Sequence, residues 1–188
     1  MPAPISDEQN RLDREALLDA AERLFYERGI QAVGMDEIRA ASGLPLKRIY
    51  RFFAAKEDLV VAMLKRRDQR WRGSLAAHVE QVPDPRERVL AIFDWLAEWF
   101  AEPGFRGCAW INAYGELGPS SEAVFAEVRS HKQGFHDQIA VWVHATGLPV
   151  AEPVFLLAEG AIVTAGISGD PTPARHARAA VATLLGTP

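Results

Sequence analysis

One cysteine, Cys108, is all that the 188 residues carry, so no internal disulfide can brace the fold, and a reducing compartment suits the chain. Long apolar runs are also scarce. The longest, Val154 to Ile167, includes Glu159 and is about 14 residues long, short of the roughly 20 that a bilayer span requires. The start, MPAPISDEQNRLD, has neither the basic opening nor the apolar core of a secretory signal. Sustained period-two alternation, the mark of half-buried strands, is missing throughout. So are a glycine-rich phosphate loop, a nucleophile elbow and carboxylates paired at catalytic spacing. No two-cysteine or His-x-x-x-His metal motif occurs, and His131 and His136 point to different sides of a helix. These absences speak against a secreted scaffold, a membrane protein, a β protein, and an enzyme or metalloprotein of familiar type. They leave a soluble, cytoplasmic chain with no expected cofactor or metal, and histidines expected at the surface or at a pocket rim.

What is present is a helical pattern with an uneven charge. Hydrophobic residues make up 48% and charged residues 24%, and the net charge is −4. Residues 1–72 hold 14 Lys and Arg against 12 Asp and Glu, a net of +2, whereas 73–188 hold 7 against 13, a net of −6. A basic head on an acidic body suits contact with a polyanion through the head alone. Apolar residues recur at helical spacing along nearly the whole chain, punctuated by Gly29, Gly43, Val82-Pro83-Asp84-Pro85, Pro103-Gly104, Gly118-Pro119 and Gly147. They predict an all-α fold of about nine helices: a three-helix head and a helical-bundle body. The first helix is expected from Arg14 to Arg28 with Asp13 as N-cap, and the last from Pro173 to Leu185 behind Thr172.

The most informative stretch is Ile38 to Lys56, IRAASGLPLKRIYRFFAAK. It carries Arg39, Lys47, Arg48, Arg51 and Lys56 and no acidic residue. It reads as two short helices joined at Gly43, locked by Ile38, Ala41, Leu44, Ile49 and Phe53, with Lys47, Arg48 and Arg51 facing outward. Lysine and arginine early in such a helix match guanine acceptors in a major groove. Tyr50 has the reach for a phosphate. Lys56, at the start of the next helix, sits where the helix dipole also favours one.

The segments REALLDAAERLFYERG and DEIRAASGLPLKRIYRFFAAKEDL, within residues 14–59, resemble the N-terminal domain of the TetR family of transcriptional regulators. The resemblance implies a helix-turn-helix head over 1–54 and an effector-binding and dimerisation body over 55–188. It implies a homodimer that binds a palindromic double-stranded DNA operator, and a small-molecule effector that releases it. Carried over by position, Tyr50 and Lys56 match phosphate contacts, and Pro45, Leu46, Lys47, Arg48 and Arg51 match the positions that meet the groove. Gly34 stands where the family usually has a Ser or Thr that caps the second helix and touches a phosphate. Pro45 likewise replaces a usual Ser or Thr cap, and Leu46 a common polar residue.

The body holds all five tryptophans, Trp71, Trp95, Trp99, Trp110 and Trp142. Such residues serve equally as plain core or as the walls of a cavity between helices. The expected effector pocket is lined by Phe93, Leu96, Cys108, Trp110, Asn112, Tyr114 and Phe135. Asn112 and Glu116 share a helix face, where they either hold a ligand or cap a neighbouring element. Cys108 is either a small buried hydrophobe or a reactive thiol. Small residues of the last two helices, among them Ala158, Ala161, Ala165, Ala174 and Ala177, either build the dimer interface, as the resemblance implies, or cover the monomer core. An all-helical small-molecule-binding protein or enzyme with an idle head is the competing reading.

Overall fold

The computed structural model describes residues 6–187; the first five residues of the expected 1–54 head and the last residue of the body lie outside that range. Among the described residues are nine helices and no strand. They are α1 (Asp7–Arg28), α2 (Met35–Ser42), α3 (Leu46–Phe52), α4 (Lys56–Val79), α5 (Pro85–Phe100), α6 (Ala109–Leu117), α7 (Glu122–His144), α8 (Ala151–Ser168) and α9 (Thr172–Leu185). The all-α expectation holds. Residues up to Arg67 together with Asn112–Glu127 form one compact unit; Asp68–Ile111 and the residues from Val128 on form a second. Thus α4, α6 and α7 each contribute to both.

In the first unit, α1 begins two turns earlier than its apolar stripe predicts. Ser6 is the N-cap, its Oγ accepting from the Gln9 N–H at 3.1 Å, and Asp7 and Glu8 suit the positive end of the helix dipole. Asp13 is therefore an interior helical residue, not a cap. The reason is visible in the residues: between Asp7 and Asp13 only Leu12 is apolar, so no stripe announces this part of the helix. Further along, Leu17, Leu18, Ala21 and Phe25 are buried with Ile38 of α2 and Ile49 of α3. Ala41, expected in this core, is exposed. Arg66 reaches Glu15, Asp19 and Glu22 at 3.1, 2.8 and 3.1 Å, and Arg67 joins Glu22 at 2.9 Å, tying α4 to α1.

In the second unit, α5, α8 and α9 pack together. Val89, Ile92, Phe93 and Leu96 of α5, Ala158, Ala161 and Ala165 of α8, and Ala174, Ala177 and Val181 of α9 are all buried. These alanines serve the monomer core. The start of α9 also differs in detail from expectation: Thr172 is its first residue, and Asp170 accepts from the Thr172 N–H at 2.8 Å. Trp71 sits edge-on to Trp95, Trp99, His131 and Phe135 at centroid separations of 5.0 to 5.5 Å. One face of α8 stays apolar and exposed, with Leu156 64% and Ile167 84% accessible. By length and a mean hydropathy of 1.3 that helix alone among the described ones reaches the threshold for a membrane span, yet its other face is core.

Candidate nucleic-acid interface

Residues Met35–Phe52 form two short helices about Gly43, which closes α2 in the left-handed region at φ 70° while its N–H donates to the Arg39 carbonyl at 3.1 Å. Glycine enters this region without a Cβ penalty, which lets the chain reverse here. Gly34 caps α2 through backbone alone: Glu37 returns to its N–H at 3.2 Å, and nothing lies within 4 Å of where a side chain would start. Pro45 caps α3 in an extended conformation (φ −63°, ψ 144°), and its carbonyl accepts from Arg48 and Ile49 at 2.8 and 3.1 Å. The missing hydroxyls therefore cost the two helices no backbone bond.

On α3, Lys47, Tyr50 and Arg51 are exposed, Leu46 is half-buried and Ile49 is in the core. Lys47 and Arg51 are one turn apart on one side of the helix, beside Pro45 and Leu44, around a depression of about 350 Å³. Arg48 does not face outward as expected. It is 8% exposed, its Nε donates to Asp13 Oδ2 at 2.9 Å, its Nη2 donates to Asn10 Oδ1 at 2.7 Å, and its guanidinium lies 4.6 Å from the Phe52 ring centroid. Both polar partners come from the part of α1 that precedes Arg14, where no apolar stripe marks the helix.

Lys56 is likewise engaged within the unit. Its Nζ donates to the Ile30 and Val33 carbonyls, each at 2.5 Å. Burial pulls its pKa below the ordinary lysine value, and the nearby Glu116 and Glu37 carboxylates oppose that shift. Glu116, on α6, grips the same turn. Its carboxylate accepts from the Ile30 and Gln31 N–H groups at 2.9 and 2.7 Å, and its carbonyl accepts from the Gln31 side chain at 2.6 Å. Gly29 makes room: at φ 91° it is left-handed, and a Cβ there would stand 3.3 Å from the Glu116 carboxylate. Of the two roles open to Glu116, capping a neighbouring element is the one it fills. Ser121 adds a second tie, donating to Glu57 Oε2 at 2.7 Å.

Of the residues expected to line an effector pocket, Phe93, Leu96, Cys108, Trp110 and Phe135 are buried in the second unit. Asn112 and Tyr114 belong to the first unit and are exposed, Tyr114 packing on Phe125 at 5.7 Å. His131, expected at the surface or at a rim, is instead buried. It stacks parallel on Trp110 with centroids 3.5 Å apart, and its Nδ1 is 2.7 Å from Asp68 Oδ1. Burial works to raise the Asp68 pKa, but hydrogen bonds and charge from His131 and Arg72 outweigh it and hold the carboxyl at about 2. Burial similarly pushes the Cys108 thiol up, yet a hydrogen bond from His131 and the Lys132 ammonium, 3.4 Å away, bring it below its ordinary value. The indole N–H groups of Trp71 and Trp110 are buried with no acceptor among the described residues.

Comparison with known proteins gives these features a context. Residues 17–63 match the model for bacterial regulatory proteins of the tetR family. An uncharacterised HTH-type transcriptional regulator of Mycobacterium tuberculosis is 35% identical over 86 residues, 46% of this chain and 43% of that protein, so the match spans less than half of the relative's length. The HTH-type transcriptional repressor NemR of Escherichia coli is 26% identical over 93% of this chain and 94% of its own. Among solved structures, a TetR-family transcriptional regulator from Streptomyces coelicolor superposes with a TM-score of 0.85 at 29% identity, covering 94% of this chain and 95% of that one. Residues 17–63 thus carry the N-terminal domain of the tetR family of bacterial regulatory proteins, and the chain as a whole shares the all-α fold of TetR-family regulators.

Proposed function

We propose that the chain is a cytoplasmic, ligand-responsive transcriptional regulator and not an enzyme. In this reading residues 1–54 bind DNA and residues 55–188 bind effector and dimerise. The observation that carries it is the exposed Lys47–Arg51 edge of a short helix whose remaining side is locked into a three-helix head. A cationic edge of this kind gains free energy mainly by displacing counterions from phosphates and donating to base edges. Pro45, Leu46 and Tyr50 border it, and the exposed Tyr50 hydroxyl has the reach for a phosphate; the backbone N–H cap at Gly34 lies on the same unit. Repression, relieved when an effector enters the body, is the mode we favour.

The effector reading rests on the second unit. Phe93, Leu96, Phe135 and Trp110 offer an apolar aromatic environment, and the two indole donors without acceptors suit an oxygen of a small apolar or aromatic ligand. The exposed apolar face of α8, continued by Leu184 of α9, supports homodimerisation through the last two helices.

The test is binding to sheared double-stranded DNA over a range of salt. The parent should bind, with affinity falling steeply as salt rises, and the double variant Lys47→Ala, Arg51→Ala should bind far more weakly with an unchanged melting temperature. Equal binding by parent and double variant would remove α3 from the interface.

A further inference from the structure

The first two turns of α1 are polar but for the exposed Leu12 and lie outside the segment that matches the family model, which begins at residue 17. They nevertheless hold an ordered chain of contacts. Ser6 caps the helix at Gln9, the Gln9 amide donates to Asp13 Oδ1 at 2.6 Å, and Asp13 Oδ2 and Asn10 Oδ1 each accept from the Arg48 guanidinium. Arg48 is the one cation of α3 that points inward. Its neighbours on the helix, Lys47 and Arg51, are exposed. A buried guanidinium whose fork is met by two acceptors from one helix, and whose plane lies over Phe52, has its rotation and depth set by that helix.

We infer that Arg48 is a positioning residue for DNA reading: Asn10 and Asp13 hold it so that the Lys47–Arg51 edge of α3 meets the groove at one orientation, and Arg48 itself touches no phosphate or base. The inference rests on the DNA-binding reading given above. It makes the polar start of α1 a determinant of sequence discrimination, a role that neither its composition nor the family match assigns. A direct contact and a brace differ in what salt does. Each phosphate neutralised by a cation contributes about 0.9 to the slope of log affinity against log salt, whereas a brace contributes nothing to it. They also differ in how they tolerate lysine. An ammonium still neutralises a phosphate, but it lacks the planar fork that serves Asp13 and Asn10 together.

The experiment uses the full chain and a duplex that the parent selects from a random pool, with a scrambled duplex of equal length as control. Affinities are read by fluorescence anisotropy between 50 and 200 mM salt, a range over which a protein that neutralises several phosphates loses roughly 10³–10⁵ in affinity. Arg48→Met and Arg48→Lys should each weaken binding to the selected duplex about tenfold, lose much less on the scrambled one, and leave the slope unchanged. Lys47→Ala should lower the slope by about 0.9. Asp13→Asn, Asn10→Ala should reproduce the loss of discrimination, and adding Arg48→Met to it should cost nothing further. Should Arg48→Met not fold, Arg48→Lys and the α1 pair answer the question. A slope lowered by Arg48→Met as much as by Lys47→Ala, near-normal binding by Arg48→Lys, or unchanged discrimination in the α1 pair overturns the inference. A parent that selects no duplex instead removes the DNA-binding reading, and the inference with it.

Discussion

Replacing Glu116 by alanine isolates one local device of the head, the grip on the turn between α1 and α2. The carboxylate accepts two backbone N–H groups, from Ile30 and Gln31, at 2.9 and 2.7 Å. A bond of this charge-assisted kind contributes a net of about 1.5–3 kcal/mol each. Gln31 is exposed, so water replaces most of its loss, whereas Ile30 is buried and its amide has no such relief. The turn keeps its two carbonyl bonds to Lys56. The net cost of Glu116→Ala should therefore be about 2 kcal/mol, which corresponds to roughly a 30-fold shift in a local opening equilibrium. Amide hydrogen exchange resolved by residue is the assay: Ile30 and Gln31 should exchange roughly 30-fold faster, and the urea midpoint of the head should fall. Glu116→Gln, which retains one acceptor but presents an amide donor to an N–H, should lie between parent and alanine. Unchanged exchange at both amides in Glu116→Ala would show that the carboxylate does not hold this turn.

Two further predictions follow from the second unit. Asp68 is held at about 2 instead of its ordinary 3.8, so its pairing with His131 and Arg72 stabilises the fold fully above about pH 4 and is lost as pH falls toward 2, an effect of about 2 kcal/mol. Urea midpoints measured from pH 5 down to pH 2 should show that loss in the parent and lack it in Asp68→Asn; parallel curves would contradict it. On α8, Ile167 is 84% exposed and apolar, and Ile167→Asp should shift the mass measured by light scattering from dimer toward monomer, with no change in helicity. A mass unaffected by this substitution would move the interface elsewhere.

The head was largely legible because its signals are local. Gly29 and Gly43 end α1 and α2, the bounds of α2 and α3 follow from punctuation, and the lock residues Ile38, Ile49 and Phe53 keep helical spacing. Side-chain direction was less legible. Lys47 and Arg48 are adjacent and chemically alike, yet one is exposed and one buried, because Arg48 has acceptors in a part of α1 with no apolar stripe to reveal it. Lys56 shows the same limit: its carbonyl partners lie 23 and 26 residues away. In the body, the aromatic residues announced burial, but not that His131 would stack on Trp110 and pair with Asp68, 63 residues distant. Of the small residues of α8 and α9, Ala158, Ala161, Ala165, Ala174 and Ala177 cover the monomer core, while α8 keeps a second apolar face, since both faces of a helix in a bundle can be apolar. Nothing in spacing alone separates the face that meets α5 from the face left exposed.

Selection of duplexes from a random pool by the full-length parent bears most directly on the central claim, that α3 reads DNA as one of a matched pair. Two copies related by a two-fold axis should enrich an inverted repeat whose half-sites are centred about 10 base pairs, or 34–36 Å, apart, or a multiple of that spacing. A pool that remains unenriched, or a winning sequence without two-fold symmetry bound by a dimer, would contradict it.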